Sequence, residues 1–227
     1  MAFGATDYFS LGDTAWEPQS SSKSTASANA QAADSWGDVA CETVYNRAST
    51  YQVVYALVKG SSVNVTTKVK LGNIKTIGAE KAVISSIEVA TSNTDFPRVT
   101  VTAEEWHGDT DLRTYTMTGA TAIAAEKRAQ AIGFVADTTT STMIQSSTAT
   151  YTVQVARVAD SVGSYVKTAV YGGRGEVTAE LMACAGTATA VADTANGWAL
   201  AKEVESATDN TSYGNSTVSV FKNLAND

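Results

Sequence analysis

The amino-acid sequence predicts a mainly β protein: an antiparallel β-sandwich or barrel of two packed sheets, with one flanking α-helix at about 160–171. Runs rich in Val, Thr, Tyr and Ile alternate apolar and polar residues with the two-residue period of a half-buried strand. Gly, Asn, Asp and Ser separate these runs, and both prolines lie outside strand interiors. The 227 residues are 44% apolar and 17% charged, which is sufficient apolar material for one large core.

Residues 1–35 are predicted to form a low-complexity N-terminal arm, extended or inter-subunit, before a single β-rich domain over 36–227. The stretch 17–35 is small and polar, so it cannot bury enough surface to offset its ordering entropy. It is either mobile or ordered only against a neighbour. An apolar cluster precedes it, which would fold back on the core in a monomer and could reach a partner in an oligomer. The candidate inter-subunit arm comprises Phe3, Tyr8, Phe9, Leu11 and Trp16.

Alternation predicts the strands of the first half. Residues 41–58 and 63–69 each read as a strand, because aromatic and β-branched residues recur at every second position. Residues 82–91 and 98–106 flank a segment containing Asn, Asp and Pro, which is typical of a hairpin connection. The second of these runs has one apolar and one polar face, as expected of an antiparallel sheet that is wet on one side.

The middle of the chain is less regular. Residues 110–119 are β-prone, and the Ala-rich residues 121–132 favour a short helix by propensity. Residues 138–147 read as a Thr/Ser loop. A strong strand over 149–158 follows, in which aromatic and β-branched residues again occupy alternate positions.

The flanking helix is predicted where the two-residue period breaks down. Apolar residues recur at helical spacing, with Asp160 or Ser161 as the N-cap and the Gly172–Gly173 pair as the end. The stripe consists of Val162, Tyr165, Val166, Ala169 and Val170. Strands over 175–184 and 217–221 complete the domain, and we find no internal repeat of fixed period.

The sequence contains no catalytic motif, so we predict that the chain is not an enzyme and holds no cofactor and no metal. A single His cannot anchor a typical nitrogen-ligand site. Glu105, His107 and Asp109 could form an acid–base or metal cluster, but we favour a strand end that runs into a polar turn. The remaining enzymatic hypothesis is a hydrolase with a carboxylate pair such as Glu104 and Asp109.

Charge and hydropathy exclude other classes of protein. Sixteen Lys and Arg against 23 Asp and Glu give a net charge of −7, which does not suit a protein that grips phosphates. No apolar run approaches the ~20 residues of a membrane-spanning helix. The N-terminus lacks the basic region of a secretory signal. Cys41 and Cys184 are predicted to be buried free thiols, with a disulfide as the minority interpretation.

Several phrases of the sequence, taken in order, resemble the major tail tube proteins of tailed bacteriophages. The phrases are GDVACETVYNRASTYQVVYALV, ISSIEVATSNTDFPRVTVTAEEW, AQAIGF, TYTVQVARVADSVGSYVKTAVYGGRGEVTAELMAC, GWALAKEVE and STVSVFKNL. The resemblance covers about residues 36–227. Its most distinctive parts are the SNTDFPRVTVT hairpin and the helix expected after VARVADSVG.

The resemblance implies a virion structural protein, made in the cytoplasm of a bacterial host and located in the phage tail. Copies of the chain would form hexameric rings that stack into a tube, in which strands of each subunit continue a common inner barrel. Other tail proteins (sheath, baseplate, terminator or tape measure) would be partners. DNA would pass through the bore without specific binding during ejection.

The acidic charge suits such a channel, because carboxylates repel a sliding polyanion whereas Lys and Arg would hold it. The candidate acids of the channel wall each lie on or beside a predicted strand, although an ordinary solvated surface carboxylate is the more frequent case for any one of them. They are Glu88, Glu104, Glu105 and Glu180.

A surface β-sandwich binding module is the alternative function, either a capsid decoration protein or a carbohydrate-binding adhesin. Ser/Thr-rich β proteins with exposed aromatic residues suit carbohydrate recognition. Trp36, Trp106 and Trp198 could supply stacking platforms, although structural packing is the more frequent use of each.

Overall fold

Nine antiparallel strands are present in the part of the chain that the structure, a computed structural model, describes. That part covers residues 4–11, 16–58, 69–108, 113–115, 117, 142–183, 197–206 and 214–225. The strands are β1 Trp16–Ala33, β2 Val39–Leu57, β3 Ile74–Ile77, β4 Glu80–Ser92, β5 Arg98–Glu105, β6 Thr142–Ala159, β7 Tyr165–Ala183, β8 Ala199–Ser206 and β9 Gly214–Asn223.

The prediction of a mainly β, antiparallel protein is confirmed. All nine strands belong to one sheet, in the order β1-β2-β5-β4-β6-β7-β9-β8, and β3 pairs with β4 beside this path. The described strands therefore form a single hydrogen-bonded sheet where two were expected. The predicted helix over 121–132 lies outside the described residues, as do most of 63–69 and 110–119.

The hydrophobic core covers one face of this sheet. Tyr51, Val53 and Tyr55 of β2 are fully buried and alternate with more accessible residues. Val99 and Val101 of β5 repeat the pattern. Each such apolar side chain contributes roughly 1.5–3 kcal/mol on burial. The alternation thus fixes which face of the sheet remains open to solvent.

The N-terminal segment differs from the predicted arm. Its aromatic and aliphatic side chains pack into the core of their own chain: Phe9 is 2% exposed, Leu11 and Trp16 are buried, and Tyr8 makes an edge contact with Tyr51. Phe3 lies outside the described residues. Four of the five candidate arm residues therefore pack against the core of their own chain, which is the first of the two alternatives predicted for this cluster.

The small polar stretch after this cluster is strand β1. It pairs along its whole length with β2, and the boundary predicted between residues 35 and 36 falls in the turn that joins the two strands. Ser, Thr and Ala can form a strand here because β2 supplies the hydrogen-bonding partners, so the segment is ordered against a neighbour in its own chain.

The predicted helix over 160–171 is wrong. Residues 160–164 form a tight turn and Tyr165 begins strand β7, which pairs with β6. The turn residues interrupt the alternation and shift its phase, which produced an apparent helical spacing. The predicted Thr/Ser loop is also wrong from Thr142 onward, because β6 begins there.

The long hairpins β1–β2 and β6–β7 are two copies of one structure. Both consist of an 18-residue strand and a 19-residue strand. Corresponding positions lie 126 residues apart (residue 160 minus residue 34). Each pairing breaks register at three places, and all three breaks coincide at that spacing: Pro18/Ser20 with Ile144/Ser146, Ala26/Ala28 with Thr152/Gln154, and Ala32/Ala33 with Val158/Ala159.

The strands that follow each hairpin repeat as well. β2 pairs with β5 and β5 with β4; likewise β7 pairs with β9 and β9 with β8. The register break between Ile84 and Ser86 of β4 has its counterpart between Leu200 and Lys202 of β8. We call β1, β2, β4 and β5 the first unit and β6, β7, β8 and β9 the second unit.

The expectation that the chain has no internal repeat is therefore wrong. The shared sequence is short: Ala-Asp-Ser-x-Gly occurs at 33–37 and 159–163, and Val-Tyr at 44–45 and 170–171. Asn46 and Gly172, which follow Val-Tyr, both adopt a left-handed backbone with φ of 54° and 65°. Most other positions differ between the two hairpins, although their strand lengths and register breaks are the same.

Candidate functional site

The open face of the sheet is polar across strands of both units. One cross-strand row runs through Thr100, Glu88, Thr150 and Glu176 on four neighbouring strands. Further hydroxyl side chains flank this row on both sides, including Thr102, Ser86, Thr152, Thr148, Thr178 and Ser219. The open face therefore offers hydroxyl and carboxylate groups to whatever it contacts.

Two of the four predicted wall acids lie on this open face. Glu88 and Glu180 are exposed, and Glu180 accepts a hydrogen bond of 2.9 Å from the Ser146 hydroxyl. Sequence reasoning missed Glu176, which occupies the same row as Glu88. Its strand parity with Glu180 could have identified it, since residues four apart in a strand share a face.

The other two predicted acids lie at the end of β5 and make specific contacts within the chain. Glu104 forms an ion pair of 2.8 Å with Arg157. Glu105 accepts a hydrogen bond of 2.7 Å from the backbone N–H of Ser49. These contacts give both carboxylates a structural role in joining β5 to the two hairpins.

The candidate cluster around His107 does not form a metal site within the described residues. His107 Nε2 lies 3.8 Å from Glu105 Oε1, and the backbone N–H of His107 donates to the Thr168 hydroxyl at 2.9 Å. No group of three ligating side chains occurs among the described residues. Asp109, which the metal cluster and the carboxylate pair with Glu104 both require, lies outside them.

Both long hairpins end in the same five-residue turn. In the first, Asp34 Oδ1 accepts from the backbone N–H groups of Trp36 and Asp38 at 2.8 and 3.1 Å. In the second, Asp160 Oδ1 accepts from the N–H groups of residues 162 and 164 at 3.0 and 2.8 Å. The tip residue is apolar and exposed in each case, 89% for Trp36 and 76% for Val162.

The first unit holds the turn of the second hairpin. The N–H of Asn46 in β2 donates to the carbonyl of Gly163 at 2.8 Å. A Cβ atom on Gly163 would lie 2.5 Å from the Cβ of Tyr45, so only glycine permits this approach. Within the second hairpin itself, the guanidinium of Arg157 lies over the ring of Tyr165, 5.7 Å from its centroid.

The equivalent contact around the turn of the first hairpin is vacant. Gly37 has φ of +89°, and a Cβ built there meets nothing within 4 Å. Tyr171, which corresponds to Tyr45, is 49% exposed. The first hairpin therefore projects from the sheet without the support that the second hairpin receives.

Two strands stand at the ends of the sheet. Among the described strands, β1 pairs only with β2 and β8 only with β9. An end strand presents backbone N–H and C=O groups that can pair with another chain. β1 is long, and its exposed residues are mainly Ser, Thr and Ala, so little side-chain bulk obstructs its outer edge.

The aromatic residues proposed as stacking platforms do not share one surface. Trp106 and Trp198 are buried, which agrees with structural packing as their expected use, and Trp36 stands exposed at a hairpin tip. Cys41 is exposed on the outer half of β2, against the predicted burial, because only β1 neighbours it there. Cys184 lies outside the described residues.

An open groove of about 500 Å³ lies where the N-terminal segment meets β1 and the β3–β4 turn. Lys23 and Glu80 form an ion pair of 2.9 Å at its border. Deeper in, the hydroxyl of Tyr55 donates to the carboxylate of Asp7, and burial followed by this hydrogen bond raises the pKa of Tyr55. The contact between Tyr55 and Asp7 attaches the N-terminal segment to the sheet, and the Lys23–Glu80 pair joins β1 to β4.

Comparison with known proteins gives no family for this chain. No protein-family model matches the sequence, and no curated protein matches it either. In the described part of the chain, no helix has the length and apolar character required to cross a membrane.

Proposed function

We propose that this chain is the structural subunit of a bacteriophage tail tube, whose copies form stacked rings around a channel for DNA. The observation that carries this proposal is the open, acidic, hydroxyl-rich face that extends across both units of the sheet. The resemblance of the sequence phrases to major tail tube proteins adds the virion context, the non-enzymatic role and the other tail proteins as partners.

The charges of the open face suit a wall along which DNA slides. Two cations of this face are paired with carboxylates: Arg98 with Asp95 at 2.6 Å and Arg174 with Glu176 at 2.7 Å. Glu88 makes no ion pair among the described residues. The remaining negative charge repels phosphates, and the hydroxyl groups keep the surface hydrated.

The two end strands suit a ring. A β-rich subunit with unpaired edges tends to join other chains, and closure of the sheet into a ring removes every edge at once. The ends of this sheet are different strands, β1 and β8, so each copy can join one neighbour on each side. Hexameric rings are the arrangement that the resemblance implies.

A binding module remains the alternative function, and it requires exposed tryptophan rings on which a sugar could stack. Two of the three are part of the core, which leaves Trp36 as a single exposed ring at the tip of a hairpin. One isolated ring gives little area for stacking on a sugar. The tube therefore has the stronger support.

Negative-stain electron microscopy of the purified protein, over a range of concentration and salt, tests the proposal. Rings with a central opening, or tubes made of such rings, are the expected result. A chain that stays monomeric in light scattering at every concentration, and that gives specific hits on a glycan array, would overturn the tube in favour of the binding module.

A further inference from the structure

We infer that the second unit of one copy joins the first unit of the next copy in the same way that the two units join inside the chain. This inference rests on the proposed ring. The partner is a second copy of this chain, and the contact has two parts: β8 pairs antiparallel with β1, and Tyr171 packs against Gly37.

The template is the junction within the chain. β4, the last strand of the first unit in sheet order, pairs antiparallel with β6, the first strand of the second. The pairs run from Ser86 opposite Thr152 to Ser92 opposite Ser146. The counterpart of β4 is β8 and the counterpart of β6 is β1, and these are the two strands at the ends of the sheet.

The matched register breaks show which residue of β8 in one copy would lie opposite which residue of β1 in the next copy. Glu88 corresponds to Val204 and Thr150 corresponds to Ser24, since the breaks in β4 and β8 and those in β6 and β1 coincide. Glu88 lies opposite Thr150 inside the chain. The inferred interface therefore places Val204 of one copy opposite Ser24 of the next, in an antiparallel ladder.

The same register places an acidic residue at the backbone position opposite Lys23, which also pairs with Glu80 of its own chain at 2.9 Å. It places Glu205 directly opposite Lys23, because their counterparts Val89 and Ala149 are partners inside the chain. Charges of opposite sign at directly opposed positions stabilise an antiparallel pair, whereas like charges there destabilise it. The sequence of the two end strands is thus compatible with the inferred ladder.

Burial at corresponding positions supports the inference independently. Val170 of β7 is 2% exposed, whereas its counterpart Val44 of β2 is 60% exposed. Tyr151 of β6 is fully buried beside β4, whereas its counterpart Thr25 of β1 is exposed. These two buried positions of the second hairpin therefore have exposed equivalents on the first hairpin, and a second copy would cover them.

The glycine contact supplies the second part of the interface. Inside the chain, Tyr45 packs against Gly163, and no Cβ can be accommodated there. The counterparts Tyr171 and Gly37 are both present and both without that contact, since Tyr171 is exposed and Gly37 faces open space. Seating the second unit of a neighbour on the first hairpin brings these two residues together.

Cysteine cross-linking tests the ladder in the full chain with Cys41→Ser and Cys184→Ala as background. The Ser24→Cys and Val204→Cys single variants, mixed in equal amounts and oxidised mildly, are expected to give disulfide-linked dimers containing one of each. The double variant is expected to give a ladder of multimers on a non-reducing gel. Opposed strand positions place Cα atoms within the range that a disulfide requires.

Matched variants control for chance oxidation. Thr25→Cys with Val204→Cys should give no ladder, because a slip of one residue turns the two side chains to opposite faces of the sheet. Glu88→Cys with Thr150→Cys should form a disulfide within the chain, which shows that the template geometry permits one. Equal yields from the in-register and slipped pairs, or dimers between two Ser24→Cys chains, would overturn the inferred pairing.

Gly37→Ala tests the glycine contact. This substitution meets empty space in the single chain, but in the ring it would clash with Tyr171 of the neighbour, so we expect assembly to require about tenfold or more protein. Adding Tyr171→Gly should restore assembly. If the unaltered chain forms rings and Gly37→Ala assembles equally well, the inferred contact between Tyr171 and Gly37 is wrong, but the proposed tube is unaffected. If the unaltered chain forms no rings, the inferred contact and the proposed tube are both wrong.

Discussion

Replacing Gly163 by Ala is expected to destabilise the subunit by about 2–5 kcal/mol. The left-handed backbone, with φ of +81°, costs about 1–2 kcal/mol for a residue with a Cβ. The new Cβ would lie 2.5 Å from the Cβ of Tyr45, and relief of such overpacking costs about 1–3 kcal/mol more. The two contributions together give the expected loss.

Gly37→Ala is the matched control, because its backbone is also left-handed and strained for alanine, but its Cβ atom would have no other atom within 4 Å. Urea denaturation is measured at protein concentrations where the chain is monomeric. The free energy of unfolding of Gly163→Ala should then be lower than that of Gly37→Ala by the overpacking contribution alone. Hydrogen exchange gives a local measurement, since the N–H of Asn46 bonds to the carbonyl of Gly163 and should exchange faster only in Gly163→Ala.

A second substitution at Tyr45 separates the two causes. Tyr45→Gly removes the opposing Cβ and should cancel the overpacking part of the loss, whereas Tyr45→Ala keeps that Cβ and should relieve little of it. Equal stabilities for Gly163→Ala and Gly37→Ala, or the same relief from both Tyr45 variants, would refute the claim that the hairpins touch at this point.

Further predictions concern the turns, the open face and a buried tyrosine. Asp34→Ala and Asp160→Ala should each lose about 1–3 kcal/mol in local hairpin stability, measured by hydrogen exchange, because each carboxylate accepts two backbone hydrogen bonds. Glu88→Lys with Glu180→Lys should make assembled particles retain duplex DNA in a salt-dependent way in gel-shift assays, and no retention would contradict the role of the open face. The pKa of Tyr55 is raised above its ordinary 10.0 in the folded chain, so this tyrosine ionises first in the unfolded chain, and the stability of the fold should fall as pH rises above 10.0. Ultraviolet titration of phenolate, measured alongside unfolding, would detect this. Ionisation of every tyrosine near pH 10.0 while the chain is still folded would contradict it.

Alternation predicted the strands that have one buried and one open face. β2, β4 and β5 were found because large apolar residues such as Tyr51 and Val101 recur at every second position. β1 was missed because its side chains are small and mostly exposed, so it carries no periodic signal. Its pairing depends on backbone contacts with β2, which residue types alone do not encode.

The wrong helix prediction over 160–171 shows how a turn between two strands can produce the apolar spacing of a helix. Val162 stands at the tip, and the strand then starts at Tyr165 in a new phase. The turn motif Asp-Ser-x-Gly, present twice, carried the correct information. A search for short matched motifs at one spacing would have found both turns and, with them, the repeat.

Two of the four predicted wall acids, Glu88 and Glu180, lie on the open face, because strand parity is visible in sequence. Glu104 has the right parity but lies at the end of β5, where Arg157 arrives from a distant part of the chain. Contacts such as the Glu104–Arg157 ion pair depend on how the strands of the two units pack, and the spacing of residues along the sequence does not predict them.

The presence of two similar units in one chain has a consequence for the stoichiometry of the proposed ring and for images of such a particle. In the proposed ring every second junction between units lies within one polypeptide, so only half of the junctions can dissociate, and fewer association events complete the ring. Seen end-on at modest detail, the particle would display twice as many similar wedges as it has polypeptides. Counting chains by mass, alongside counting wedges, gives its true rotational order.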